Sequence, residues 1–306
     1  DVGGSAALRA LYALVTAPKR RRDLLLGQRA PERDTSLTLS QSYNKGLDDM
    51  LLKAKQAKDF FLLVGPPGTG KTSMALQYMV REALASSTGA NLLMAYTNRA
   101  VDEICDMLTD NGIDYLRVGS ELSCAETFVP NLLQNRVGEK PTLTAMQQLI
   151  LNARVIVGTT SMIQSRSYLF NLKTFDLAIV DEASQILEPS IIGLLASINV
   201  LQESQGYASA FKFILIGDYK QLPAVVQQGD ADSAVTDPLL LNIGLGDCKN
   251  SLFERLIRQE LRAGRNDFIG ILHRQGRMHP EIAEFPNREF YTAEDIHPVP
   301  LPHQQA

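Results

Sequence analysis

Six short apolar runs punctuate the chain from residue 60 onward: FFLLV (60–64), NLLMAY (91–96), ARVIVG (153–158), DLAIV (176–180), FKFILIG (211–217) and FIGIL (268–272). They are continuous rather than alternating, the pattern of strands buried on both faces. Segments of helical length separate them, such as Ile186 to Ile198. This alternation predicts an α/β fold with a parallel sheet and helices on both faces. Ahead of these runs, residues 1–30 carry a helical apolar pattern (Leu8, Leu11, Tyr12, Leu14, Val15) and a basic knot, Lys19 to Arg22. The knot reads as a solvated face, with a phosphate-contacting patch as the other reading. Residues 31–42 are polar and turn-rich. Two stretches rich in Gly, Asp and Gln, 201–210 and 227–250, are expected to be surface loops, and 120–150 an insertion with some helix.

Composition narrows the class without naming a function. A chain of 306 residues that is 45% hydrophobic can bury one large core or two smaller ones. Its net charge of −4 supplies no global positive field, so any binding of phosphate must come from local arrangement. Cys105, Cys124 and Cys248 lie far apart with no CxxC or Cys/His ligand spacing, which fits neither a disulfide framework nor a zinc site. They read as reduced thiols of an intracellular protein, cytoplasmic or nuclear. No apolar run approaches membrane-spanning length and no signal-peptide pattern opens the chain. The first residue is not Met, and the sequence is expected to be a piece of something longer.

Chemistry enters directly after the first apolar run, in VGPPGTGKTS. This is a GxxxxGK[ST] loop between a predicted strand and a predicted helix, the context that the pattern requires. Gly65, Gly68 and Gly70, with Pro66, Pro67 and Thr69 between them, would let the backbone curl into an anion nest at a helix N-terminus. Lys71 would reach the β- and γ-phosphates and Thr72 would ligate Mg²⁺. A purely structural glycine turn would not fill every motif position. DLAIVDEAS then places Asp181 and Glu182 at the end of another strand, Asp181 to hold Mg²⁺ through water and Glu182 to deprotonate the attacking water. On its own such a pair often only favours a helix N-terminus. FILIGDYKQLP repeats the arrangement with Asp218 and Gln221, whose amide can meet a γ-phosphate oxygen or the lytic water.

Taken in order, GPPGTGKT, TNRAVDEI (97–104), GTTS (158–161), DEAS (181–184), GDYKQLP (217–223), SLFERLI (251–257) and RMHPEIAEFPNREFY (277–291) resemble the motifs of superfamily 1 helicases. The resemblance spans about residues 60 to 291 and is to the branch that includes the nonsense-mediated decay helicase and the helicase part of the Okazaki-fragment nuclease-helicase. It implies a RecA-like P-loop NTPase that binds Mg–ATP and single-stranded DNA or RNA and moves 5′ to 3′. It also implies that Arg277 is an arginine finger, a contact worth roughly 10³ to 10⁵ in turnover in related phosphoryl transfer, the other reading being a surface arginine that caps a helix end beside Pro280. Nucleic acid would meet Thr97, Asn98 and the segment Gly158, Thr159, Thr160, Ser161, small polar groups suited to backbone phosphates. Thr97 could equally be a helix N-cap. Two departures stand out. Gly276 occupies the position of a Tyr in the family, and Gln41 is the nearest candidate for the adenine-reading Gln but lies farther than usual from Gly65.

The domain plan expected from these motifs is a helical and basic lead-in (1–42), a first motor domain (43–266) and the start of a second (267–306), the rest of which would lie outside this chain. Such a fragment is expected to bind nucleotide weakly and hydrolyse it poorly. His297 and His303, in a Pro-rich tail, read as exposed rather than ligating. A GTPase would need an NKxD guanine reader after the loop and an ABC ATPase an LSGGQ, and the sequence has neither. A nucleotide-binding scaffold without turnover remains the other reading.

Overall fold

The computed structural model describes residues 2–138, 142–200, 211–221, 226, 229–276 and 280–299. Seven parallel strands form one sheet: β1 (Phe60–Val64), β2 (Asn91–Ala95), β3 (Leu116–Val118), β4 (Val155–Thr159), β5 (Leu177–Asp181), β6 (Lys212–Gly217) and β7 (Ile269–Ile271). Their order across the sheet is β3-β4-β2-β5-β6-β1-β7. Every residue of β1, β2 and β5 is buried, which requires cover on both faces and explains why these runs carry no polar alternation. A two-stranded ribbon, β8 (Arg274–Gln275) with β9 (His297–Pro298), follows. The helices that bear on the site are α1 (Val2–Thr16), α2 (Lys19–Leu25), α3 (Asp48–Gln56), α4 (Gln77–Ser86), α5 (Asn98–Asp110), α6 (Glu188–Ser197), α7 (Leu252–Arg262) and α8 (Pro280–Phe290).

All six apolar runs are strands. The seventh, β3, escaped the hydrophobic pattern because it is three residues long with an arginine at its centre. Arg117 is nonetheless buried, paired with Asp102 and set 6.0 Å from the Phe128 ring centroid. The basic knot is likewise not a wholly solvated face. Arg21 is 6% exposed, donates to the carbonyls of Leu195 and Ile198 at 2.9 Å and lies over the Phe211 ring. The C-terminal end of α6 and its flank are therefore held by the N-terminal helices. Gly193 of α6 touches Ala10 of α1 so closely that a Cβ would fall 2.3 Å from the Ala10 Cα. The N-terminal helices α1 and α2 thus pack on α6. The run at 268–272, beyond the boundary expected after 266, supplies β7, which pairs with β1 at the edge of the sheet. Within 227–250 the described residues include two short helices, Asp230–Ser233 and Pro238–Asn242, and 201–210 lies outside them. The 120–150 stretch carries helices Leu133–Arg136 and Leu143–Asn152.

One buried ion pair ties the layers together. Arg255 of α7, fully buried, donates through Nε to both carboxylate oxygens of Glu188 (3.0 and 2.8 Å) and through Nη2 to the Leu25 carbonyl (2.8 Å). Removing only the cation strands a buried carboxylate, so Arg255→Met is expected to destabilise the fold by about 3–5 kcal/mol. Denaturant unfolding checks this, and a loss under about 1 kcal/mol would show that Glu188 finds water.

Candidate nucleotide site

The carboxyl ends of β1, β5, β6 and β7 surround one cleft of about 1480 Å³. The loop leaving β1 bends through Gly68 and Gly70, at φ +75° and +80°, where a Cβ is strained. Gly65 is needed for another reason: a Cβ there would sit 2.3 Å from Lys71 Cγ, so the lysine stem passes directly over it. From Gly70 the chain enters a π-helical turn, Lys71–Leu76, in which the N–H groups of Met74 and Ala75 both donate to the Gly70 carbonyl at 3.0 Å. Such turns concentrate at functional sites. Thr69 is buried and turned inward, its hydroxyl donating to the Pro66 carbonyl at 2.8 Å.

Facing this loop is a carboxylate held on both oxygens. The Thr72 hydroxyl donates to Asp181 Oδ2 at 2.7 Å, and the Glu182 N–H donates to Asp181 Oδ1 at 2.9 Å. Asp181 is 4% exposed. A hydroxyl beside a carboxylate is a hard-oxygen donor pair, the set that suits Mg²⁺, so Thr72 and Asp181 fit that ion. Glu182 takes φ +54°, ψ 31°, uncommon for a residue with a Cβ and costing on the order of 1 kcal/mol. Its Oε2 accepts from Thr97 Oγ1 at 3.3 Å. Burial first, then the neighbouring Asp181 charge, raise the Glu182 pKa above the usual carboxylate value, while Thr97 and Lys71 pull it back. Alongside, Asp218 is buried and its Oδ2 accepts from Gln221 Nε2 at 2.8 Å and from the Tyr291 hydroxyl at 2.5 Å. Burial and the Asp218 carboxylate push the Tyr291 hydroxyl far up, fixing it as a donor.

The cleft therefore brings together Pro67 to Thr72, Asp181, Glu182 and Gln221, with Gly65 and Pro66 supporting the loop from below. Gln41 is not among them. It is exposed, and the wall on that side is built by Asn44, Gly46, Leu47 and Met50. Arg277 and His303 lie outside the described residues, while His297 is exposed and pairs with Asp295 at 3.2 Å. Two contacts were hidden in the sequence although their residues stand in or beside quoted motifs: Tyr291 on Asp218, and Gln275, whose Nε2 donates to the Pro67 carbonyl at 2.7 Å.

The residues expected to meet nucleic acid lie on adjacent strand ends, Ala95 of β2 pairing with Thr159 of β4. Several already have structural duties. Thr97 caps α5 through Ala100 N, besides donating to Glu182, and Thr159 caps the short helix Thr160–Ser165. Gly158 is required by packing, since a Cβ would lie 2.9 Å from the Val118 carbonyl oxygen, and Thr160 is buried. Asn98 and Ser161 are exposed, as is Tyr96 beside them at 48%.

A family model described as an AAA domain matches residues 42–147 and 134–228, and a second model of the same description matches 248–299. The chain belongs to the AAA-domain family of superfamily 1 helicases. Among curated helicase-family relatives, it is 30% identical over 255 residues to the DNA replication ATP-dependent helicase/nuclease DNA2 of Bos taurus, covering 78% of this chain and 21% of that one. It is 32% identical over 253 residues to the DNA replication ATP-dependent helicase/nuclease JHS1 of Arabidopsis thaliana, covering 82% of this chain and 16% of that one. The chain thus spans about a fifth of the length of these relatives. A solved arterivirus nonstructural protein 10 (helicase) in complex with DNA superimposes with a TM-score of 0.43 at 16% identity, over 84% of this chain and 45% of that one. Among the described residues of this family member, no helix is long and apolar enough to cross a membrane.

Proposed function

We propose that this chain is the ATP-binding motor domain of a helicase that couples ATP hydrolysis to 5′-to-3′ movement along single-stranded nucleic acid. The observation that carries the reading is the hydrogen bond from Thr72 to Asp181, made across 109 residues, with Glu182 beside it on the same cleft wall. Lys71 and N–H groups of the loop would bind the phosphate tail; Thr72 and Asp181 would hold Mg²⁺, which would neutralise charge on the phosphates. Water attacks the γ-phosphorus, its proton passes to the Glu182 carboxylate, and the bond to the β–γ bridging oxygen breaks. Gln221, held by Asp218, orients that water. Arg277 completes the site as a finger, a role supported by its neighbour Gly276 donating to the Gly68 carbonyl at 3.0 Å.

DNA is the strand that the relatives' names favour, and an intracellular, nuclear setting goes with it. Asn98, Ser161 and Tyr96 offer the exposed polar and aromatic groups for it on the β2 and β4 ends. The exposed Ile282, Phe285 and Phe290 of α8 support further chain of a second motor domain packing there. A scaffold without turnover fits less well, because the base Glu182 stands intact against the metal ligands. The deciding experiment measures ATPase of the whole protein with single-stranded DNA and RNA of increasing length, beside a strand-displacement assay with 5′ or 3′ overhangs. Strand-stimulated turnover with displacement from 5′ overhangs is expected. Strand-independent turnover, or a 3′-overhang preference, overturns the translocase reading.

A further inference from the structure

Backbone carbonyls removed from water need donors. Two carbonyls of the phosphate loop are met by one distant segment. Gln275 of β8, 1% exposed, donates its side-chain amide to the Pro67 carbonyl at 2.7 Å, and the Gly276 N–H donates to the Gly68 carbonyl at 3.0 Å. The amide is itself fixed at its other end, because Gln275 Oε1 accepts from Asn287 Nδ2 of α8 at 3.2 Å. An acceptor on one side and a donor on the other leave the amide a single orientation. The backbone is pinned as well: the Val299 N–H donates to the Gln275 carbonyl at 2.6 Å.

Resting on the proposed ATP site, we propose that Gln275 is a positioning residue of the phosphate loop, linking the loop's carbonyls to the ribbon that leads into residue 277. It touches no phosphate. Its amide N–H holds the Pro67 carbonyl, and with it the loop backbone around Gly68, in one place. The link works in both directions: nucleotide that reshapes the loop pulls on β8 and α8, and strain on α8 disturbs the loop.

Gln275→Glu and Gln275→Leu separate this role from simple packing. At pH 8 the carboxylate that Gln275→Glu introduces faces the Pro67 carbonyl with no proton to donate, and Mg–ADP affinity is expected to fall tenfold or more relative to the unaltered chain. Burial raises the pKa of such a carboxyl, so acidification restores an O–H donor. By about pH 5.5 the deficit of Gln275→Glu should shrink to a few-fold, whereas that of Gln275→Leu stays constant. Mg–ADP binding by the chain, by both variants and by Lys71→Ala is measured across this range, each variant normalised to the unaltered chain at the same pH. Wild-type-like affinity of Gln275→Glu at pH 8, or a deficit independent of pH, overturns the positioning role even if Gln275→Leu fails to fold. If the unaltered chain and Lys71→Ala bind alike, the ATP site falls and the inference with it; if they differ while the Gln275 variants match the unaltered chain, the inference alone falls.

Discussion

Lys71→Ala is expected to lower Mg–ATP turnover by about 10²- to 10³-fold, the usual consequence of deleting one preorganised charge from a phosphoryl-transfer site. Affinity should fall with it, because the ammonium meets the phosphates in the ground state as well as in the transition state. The fold should survive. The stem of Lys71 lies over Gly65 rather than within the apolar core, and the π-helical turn is held by backbone donors to Gly70 that the substitution leaves in place. Isothermal titration and steady-state ATPase on the whole protein, with circular dichroism as the folding check, measure all three. Equal affinity in the variant would move the phosphate tail away from the loop altogether.

Glu182→Gln should separate chemistry from binding. Turnover is expected to drop by about 10²- to 10⁴-fold, the worth of a positioned base, while Mg–ATP affinity is kept or improved. The amide preserves the side chain's shape and relieves the like charge beside Asp181, one of the causes that raise the Glu182 pKa. The sign of the pH dependence follows. A base must be ionised, so activity is full above the folded-state pKa of Glu182 and declines as pH falls through it. Burial and Asp181 raise that pKa in the metal-free site, and Mg²⁺ at Asp181 would oppose the Asp181 contribution, so the base is identified by loss of the acid limb rather than by its position. Thr97 opposes the shift through its hydrogen bond, so Thr97→Val should carry the acid limb to higher pH, and Glu182→Gln should abolish it. A pH–kcat profile reads both effects, and an acid limb that persists in Glu182→Gln would assign the titration to another group.

The same two residues show how unevenly the site was legible. Lys71 and Glu182 stand in motifs whose spacing reports their chemistry, because a loop between strand and helix has few other uses for Gly-Lys-Thr. Thr97 was ambiguous between a cap and a ligand for nucleic acid. The structure gives it the cap and a second task, on a carboxylate 85 residues away. Gln41 is the nearest candidate in the sequence for an adenine-reading Gln; it is exposed, and Asn44 and Leu47 line the cleft there.

What the amino-acid order alone determined is local: six of the main sheet's seven strands among the described residues, the glycine positions of the phosphate loop, and the acids at the end of β5. Each depends on a periodicity or a φ preference carried within a few residues. What only the tertiary structure decided depends on partners far along the chain. Arg21 reads as part of a solvated basic knot, yet it is buried where the Leu195 and Ile198 carbonyls converge on it, and Arg117 and Arg255 are buried against carboxylates that no local pattern announces. The residues at 269–271 pair with β1 of the same sheet, more than 200 residues before them in the chain. Gln275 found its acceptor 208 residues away, and no pattern within a helix or a strand encodes a hydrogen bond across that separation.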